Sequence, residues 1–242
     1  MSDRPLAGID VAVLAGGLGT RLAPVLADRP KLLAPVAGRP FLEHLIDWLT
    51  RFGAGRILLC LGHRAEAVQA HLAAHPVGSA RIECLVEPLP LGTAGALRHA
   101  RSQLRSDPVL VLNGDSFVDA DLGVFLDRYR RSGAAAGLIC AEVADAARYG
   151  RVEIDDAGWV QRFAEKDPDR SGRGLINAGV YLFSAAMLGR IAAGKAASLE
   201  RDVLARQPAG ALVTLAGRFR FIDIGTPESL QAAQSLFAGP VR

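Results

Sequence analysis

Residues 10–40 read DVAVLAGGLGTRLAPVLADRPKLLAPVAGRP, an apolar run that breaks into glycines and then into a long tail punctuated by proline. DVAVLA (10–15) has the unbroken apolar character of a strand buried on both faces. The glycines that follow, Gly16, Gly17 and Gly19, leave backbone N–H groups open to an approaching anion. A Walker loop would require GxxxxGK[ST], which is absent. A dinucleotide fingerprint also fails, because Leu22 stands where the third glycine belongs and Pro24, Pro30, Pro35 and Pro40 disfavour a long helix. What remains is about 25 residues of irregular chain, and an irregular stretch of that length inside a compact domain signals function. Arg21 and Lys31 are two cations on this loop that can face one ligand. The competing reading is a tight turn with two solvated charges.

Outward from this loop, short apolar runs alternate with helical patterns. RILLCL (56–61), RIECLVE (81–87) and PVLVLN (108–113) read as strands. Between and after them, FLEHLIDWLTRF (41–52), residues 64–74, 94–104 and 122–131 read as helices. This alternation predicts an α/β fold: a Rossmann-like, mostly parallel sheet sandwiched by helices. After Ala136 strands crowd together in AGLICAEV, YGRVEID, WVQRFAE and LINAGVYLF, which predicts a strand-rich extension. Helices at 185–193 and 199–205, strands ALVTL and FRFIDIG, and a helix from Pro227 complete the pattern. We therefore expect one domain over residues 1–242, its ligands beyond the carboxyl ends of the strands.

Composition sets the outer limits. A chain of 242 residues with 50% hydrophobic and 22% charged residues can bury a sizeable core, which excludes a disordered polypeptide, a collagen or a disulfide scaffold. No apolar run approaches the ~18 residues of a membrane span. MSDRPLAGID lacks the apolar stretch of a signal peptide, so a soluble, cytoplasmic protein is expected, with no membrane partner. The net charge is only +3 and no basic stripe with interleaved aromatics appears, so no nucleic-acid partner is expected. Cys60, Cys84 and Cys140 sit in apolar stretches without ligand spacing and read as reduced core thiols. The five histidines form no nucleophile motif. Arginine supplies 25 of the 28 basic residues, leaving lysine at Lys31, Lys166 and Lys195. Such scarcity suggests that lysine is kept where a compact ammonium is needed.

Five further segments carry chemistry. In EPLPLGTAGAL (87–97) Pro88 and Pro90 impose an extended approach, Gly92 permits close backbone contact and Ala94 opens a helix. Glu87 at its head could equally be a solvated turn residue. LVLNGDS (110–116) and RFIDIGTPE (220–228) each end a strand in an aspartate, Asp115 and Asp223. Two such carboxylates suit a hard cation shared with phosphates, and a helix N-cap is the alternative for either. FAEKD (163–167) and NAGVY (177–181) lie in the strand-rich part; Glu165 and Lys166 alone would be an ordinary surface pair.

Taken together these strings resemble the sugar-1-phosphate nucleotidyltransferases, with motifs running from Leu14 to about Glu228 and so covering nearly the whole chain. The resemblance implies that Leu14, Ala15, Gly16, Gly17, Gly19, Thr20 and Arg21 hold the nucleotide. Arg21 and Lys31 would be catalytic, with Lys31 neutralising charge around the reacting α-phosphate. The EPLPLGTAGAL form is similar to that of the mannose- and heptose-phosphate guanylyltransferases, and it implies that Glu87, Gly92 and Thr93 read the base. Guanine's N1–H and N2–H₂ are adjacent donors that two carboxylate oxygens can accept together. Asp115 and Asp223 would hold Mg²⁺. Asn113, Gly150, Glu165, Lys166, Asn177 and Gly179 would bind the sugar phosphate. The implied reaction joins a nucleoside triphosphate, GTP by this form, to a sugar 1-phosphate and releases pyrophosphate. Uridylyl or thymidylyl transfer, or a non-catalytic nucleotide-sugar sensor, are the alternatives. Two departures are Leu32, where many members carry proline, and EKDPDRSGRG, where many have EKP. The sequence leaves the sugar and the oligomeric state open.

Overall fold

The computed structural model describes residues 4–17, 19–26, 29–147, 149–164 and 171–238. DVAVLA forms β1 (Asp10–Ala15), and the tail after it holds α1 (Ala23–Leu26), a 3₁₀ turn at Lys31–Leu33 and a minimal hairpin of β2 (Pro35–Val36) and β3 (Arg39–Pro40). Then α2 (Phe41–Arg51), β4 (Arg56–Leu61), α3 (Ala65–Ala74), β5 (Arg81–Val86), α4 (Gly92–Ala100) and β6 (Val109–Asn113) alternate. Beyond them come β7 (Ser116–Val118), α5 (Leu122–Ser132), β8 (Ala136–Val143), β9 (Val152–Ile154), β10 (Val160–Phe163) and β11 (Gly174–Phe183). The chain closes with α6 (Ala185–Ala193), a π-helical turn at Leu199–Leu204, β12 (Leu212–Gly217), β13 (Phe221–Asp223) and α7 (Pro227–Ala238).

Seven strands make the central sheet in the order β12-β8-β11-β6-β1-β4-β5. All neighbours pair in parallel except β11, which runs antiparallel to both β6 and β8. Inner strands are buried on both faces, which is why RILLCL and VLVLN are nearly continuous apolar runs. Successive residues alternate between faces, so Val11 and Val13 join one core while Ala12 and Leu14 join the other. The first core is covered by α2, α3, α5 and α7, the second by α4, α6 and the π-helical turn. In α2 the residues Phe41, Leu42, Leu45, Ile46 and Leu49 recur at helical spacing and are all buried; each contributes about 1.5–3 kcal/mol of transfer free energy.

Local chemistry fixes the ends. Asp121 caps α5 by accepting from Gly123 N–H (2.8 Å) and Val124 N–H (3.0 Å), and Gly133 ends it in the left-handed region at φ 65°. At the amino ends of the strands Arg56 bridges Asp10 (2.9 Å) and Glu83 (2.8 Å), tying three neighbouring strands together. The opposite ends are left to the loops that build the site.

Several sequence expectations shift in detail. The strand-rich section does not all stand apart: β8, β11 and β12 complete the central sheet, while β9 and β10 form a separate two-stranded ribbon. The helix expected from Ala94 begins at Gly92, and its end tightens into a 3₁₀ turn at Arg101–Gln103. The helix expected at 199–205 is the π-helical turn. Cys60 and Cys140 are buried free thiols, each pushed up to about 12 chiefly by burial. Lys195 is exposed just past α6.

Candidate active site

The loops after β1, β4, β5 and β6 enclose a cleft of about 380 Å³ at the carboxyl ends of the strands. Leu14, Ala15, Gly16, Gly17, Gly19, Lys31, Glu87, Gly92, Thr93, Asn113 and Asp115 all line it. The structure therefore brings together segments of the chain up to a hundred residues apart. Thr20, Arg21, Asp223, Gly150, Asn177 and Gly179 are not among its lining residues. Glu165 and Lys166 lie outside the described residues.

At one end of the cleft Lys31 and Asp115 meet, with Asp223 and Arg21 just beyond its lining. Lys31 Nζ lies 3.0 Å from Asp115 Oδ2. β13 pairs antiparallel with β7, which sets Asp223 opposite Ser116 and so beside Asp115. Ile224 N–H donates to the Asp115 carbonyl (2.9 Å), and Gly225 N–H donates to Asp223 Oδ1 (2.6 Å). Burial pushes the Asp223 carboxyl above its usual range, and the Asp115 charge adds to this; the Gly225 N–H, Lys31 and Arg21 pull the other way. A Cβ built on Gly225 would stand 3.6 Å from Arg21 Nη2, so Arg21 reaches the loop that carries Asp223. Asp115 precedes a strand, β7, which removes the helix-cap alternative for it.

At the other end Glu87 is buried, with 8% of its surface exposed, so the solvated-turn alternative falls away. Its Oε2 accepts from Leu91 N–H at 3.0 Å. Burial raises its carboxyl above the usual range, while the Leu91 N–H and the His99 charge lower it. Gly16 packs directly on this carboxylate: an added Cβ would meet Oε1 at 2.4 Å and Cδ at 2.8 Å. Gly62 packs in turn on Gly16, since its own Cβ would come 2.6 Å from the Gly16 carbonyl oxygen. The two glycines are required here by close approach.

Asn113 and Gly179 form a third element. Asn113 ends β6 with its Oδ1 buried and without a partner among the described residues. Gly179, at φ +74°, lies in a bulge of β11 between Asn177 and Tyr181, and its Cβ would meet Asn113 Nδ2 at 2.9 Å. Asn177 Oδ1 accepts from Gly179 N–H (2.9 Å) inside that bulge.

Sequence reasoning assigned no part to His63, Arg64, Tyr181 or Glu200. His63 and Arg64 line the cleft, and Arg64 opens α3 at φ 62°, where a side chain is strained, while its Nε donates to His63 Nε2 at 3.0 Å. Tyr181 and Glu200 hydrogen-bond each other at 3.2 Å and sit behind Thr93 and Asn177. Glu200 gave no signal because it stands in what reads as an ordinary amphipathic helix.

A glycine-rich loop, the Lys31–Asp115 pair and the buried Glu87 carboxylate thus share one cleft at the carboxyl ends of the strands of an α/β sheet. The chain belongs to the nucleotidyl transferase family, whose model matches residues 11–238. It is 34% identical over 223 residues to the mannose-1-phosphate guanylyltransferase of Mycobacterium tuberculosis, covering 91% of this chain and 62% of that one. It thus spans less than two thirds of that relative's length. It is 32% identical over 218 residues to the D-glycero-alpha-D-manno-heptose 1-phosphate guanylyltransferase of Campylobacter jejuni, covering 89% of this chain and 94% of the relative. The crystal structure of HddC from Yersinia pseudotuberculosis superposes with a TM-score of 0.84 at 32% identity, covering 95% of this chain and 99% of HddC. The same protein complexed with GMP-PN gives a TM-score of 0.83. Among the described residues no helix is long and apolar enough to cross a membrane.

Proposed function

We propose that this chain transfers the guanylyl group of GTP to a sugar 1-phosphate of mannose or heptose type, releasing pyrophosphate. The observation that carries the reading is the buried Glu87 carboxylate in the same cleft as Lys31 and Asp115, the latter with Asp223 beside it. One end of the cleft offers paired acceptors to a base, the other offers charge to a triphosphate. The guanylyltransferases named above support GTP, and the heptose enzyme, 94% of which is matched, supports a heptose 1-phosphate beside mannose 1-phosphate as acceptor.

In the proposed reaction an oxygen of the sugar 1-phosphate attacks the α-phosphorus of GTP in line. A P–O bond forms to the acceptor, and the bond from the α-phosphorus to the bridging oxygen breaks, leaving with pyrophosphate. No proton transfer or covalent enzyme intermediate is required, so the protein's work is positioning and charge neutralisation. The Gly16–Gly17 backbone and Gly19 lie against the triphosphate. Lys31, held by Asp115, delivers its ammonium to the α-phosphate, and Arg21 faces the departing phosphates. The unpartnered Asn113 Oδ1 needs a donor, and a substrate hydroxyl supplies one. Lys166, read from sequence, completes the acceptor-phosphate site.

The donor set also fits a divalent cation. Asp223 is disfavoured as an anion by burial and by Asp115, a pair that an added positive charge would relieve. Mg²⁺ takes one or two carboxylates and fills its remaining positions with phosphate oxygens and water. Bound there, it would neutralise charge on the triphosphate. Among the described residues no group of three or more His, Cys, Asp or Glu side chains is placed to hold a metal ion. A cytoplasmic setting, where GTP and Mg²⁺ are supplied, belongs to this reading.

The test is kcat/KM for GTP, ATP, UTP and dTTP with mannose 1-phosphate and a heptose 1-phosphate, with and without a chelator. GTP should be preferred and the chelator should stop turnover. Preference for UTP or dTTP would overturn the role of Glu87, and the absence of turnover with every pair would leave the sensing subunit as the reading.

A further inference from the structure

Behind the cleft, one carboxylate joins its two halves. Glu200 lies on the π-helical turn Leu199–Leu204, a widened helical form that recurs at functional positions. Its Oε2 accepts from Thr93 Oγ1 (3.1 Å) and from Ser198 Oγ (3.0 Å). Its Oε1 accepts from the Tyr181 hydroxyl (3.2 Å), which itself accepts from Asn177 Nδ2 (2.9 Å). Thr93 Oγ1 accepts from Leu199 N–H (2.8 Å), so its proton is committed to Glu200 and not to a ligand. Close packing backs the same joint. Gly92, at φ +73°, would bring a Cβ within 2.4 Å of the Ala197 carbonyl oxygen, and Ala94 N–H donates to that oxygen at 2.9 Å. Tyr181 is fully buried and its phenol is held well above its usual range, first by burial and then by the Glu200 charge, so it stays a donor to that carboxylate.

The two arms lead to different substrates. Thr93 is at the start of α4, on the segment that begins with Glu87 and faces the base. Asn177 and Tyr181 flank the β11 bulge whose Gly179 abuts Asn113, on the acceptor side. We propose that Glu200 is a positioning residue for the transfer, fixing the spacing between the nucleotide side at α4 and the acceptor side at β11. The inference rests on the two-substrate reading given above. It concerns the distance between the reacting groups, where a displacement of about 1 Å costs on the order of a hundredfold in rate.

The experiment compares wild type, Glu200→Ala and Glu200→Gln by steady-state kinetics per titrated active site, nucleotide affinity and melting temperature. Glu200→Ala should lower kcat by about thirty- to hundredfold while nucleotide affinity changes by less than about threefold, and Glu200→Gln should recover most of the loss by keeping an acceptor oxygen. A loss of melting temperature with kcat and both KM values unchanged would overturn the proposal, since a merely structural carboxylate behaves that way. Thr93→Val and Tyr181→Phe cut one arm each and guard against failure of the alanine variant to fold. Each should lower kcat, and the double variant should fall short of the product of the singles because both act through Glu200; independent effects would overturn it. Hydrogen exchange on the free protein separates this proposal from the choice of substrates. Glu200→Ala should loosen the amides of residues 92–96 and 177–181 together, whatever the donor nucleotide proves to be. Unchanged exchange in both would sink the proposal even with guanylyl transfer established.

Discussion

Gly16→Ala tests whether the position of Glu87 matters to the reaction. The new methyl carbon would stand 2.4 Å from Glu87 Oε1 and 3.0 Å from Oε2, against an ordinary carbon contact of about 3.5 Å or more. Gly16 cannot retreat, because Gly62 already packs on its backbone. The glutamate must therefore move by roughly 1 Å, a displacement that costs on the order of a hundredfold when it disturbs substrate geometry, or about 2.7 kcal/mol of barrier. The moving carboxylate also gives up the Leu91 N–H, and leaving a buried donor unmet costs about 1–3 kcal/mol of stability. We expect kcat/KM for GTP to fall toward a hundredfold with a smaller change for UTP, and the melting temperature to drop. The assay is pyrophosphate release across the nucleotides beside a thermal melt. In a Glu87→Ala background the clash disappears, so Gly16→Ala should then add little. Unaltered GTP kinetics in the single variant, or full additivity in the double, would refute the reasoning.

Three other expectations follow from the same geometry. Because burial raises the Glu87 carboxyl, folding favours its neutral form; that stability is present at low pH and is lost as pH rises through the raised value. Glu87→Gln should therefore melt higher than wild type at pH 7–8, with the gap closing below about pH 4, while selectivity for GTP declines; a lower melting temperature at neutral pH would contradict this. Asp223→Asn removes a half-buried like-charge neighbour of Asp115, so it should melt no lower than wild type yet lose roughly a hundredfold or more in turnover, as measured by calorimetry and pyrophosphate release. Gly179→Ala combines φ +74° with a methyl 2.9 Å from Asn113 Nδ2; the left-handed backbone alone costs about 1–2 kcal/mol, so the melting temperature should fall by about 2–8 °C.

The parallel strands were legible because burial on both faces leaves an unbroken apolar signature, as in RILLCL and VLVLN. The loop from Gly16 to Lys31 was legible because its glycines and prolines exclude a long helix, although the four-residue α1 within it was not foreseen. Strand order was not: nothing local marks β11 as the antiparallel strand wedged between β6 and β8, since its partners are dozens of residues away. The burial of Glu87 was equally hidden. A glutamate followed by Pro-Leu-Pro reads as a surface turn, and only packing against Gly16 makes it an interior carboxylate. Glu200 was hidden for a related reason: its partners Thr93 and Tyr181 stand 107 and 19 residues away in sequence, a separation that periodicity cannot reveal.

The most direct test follows phosphorus nuclei in one tube holding the enzyme, GTP, a mannose or heptose 1-phosphate and Mg²⁺. If the cleft performs guanylyl transfer, ³¹P resonance will show GTP and the sugar phosphate disappearing together while a guanosine diphosphate sugar and pyrophosphate grow in equal amounts. Added pyrophosphate should drive the signals back. Orthophosphate or GMP accumulating without a diphosphate sugar, or GTP consumed at the same rate when the sugar phosphate is omitted, would contradict the account.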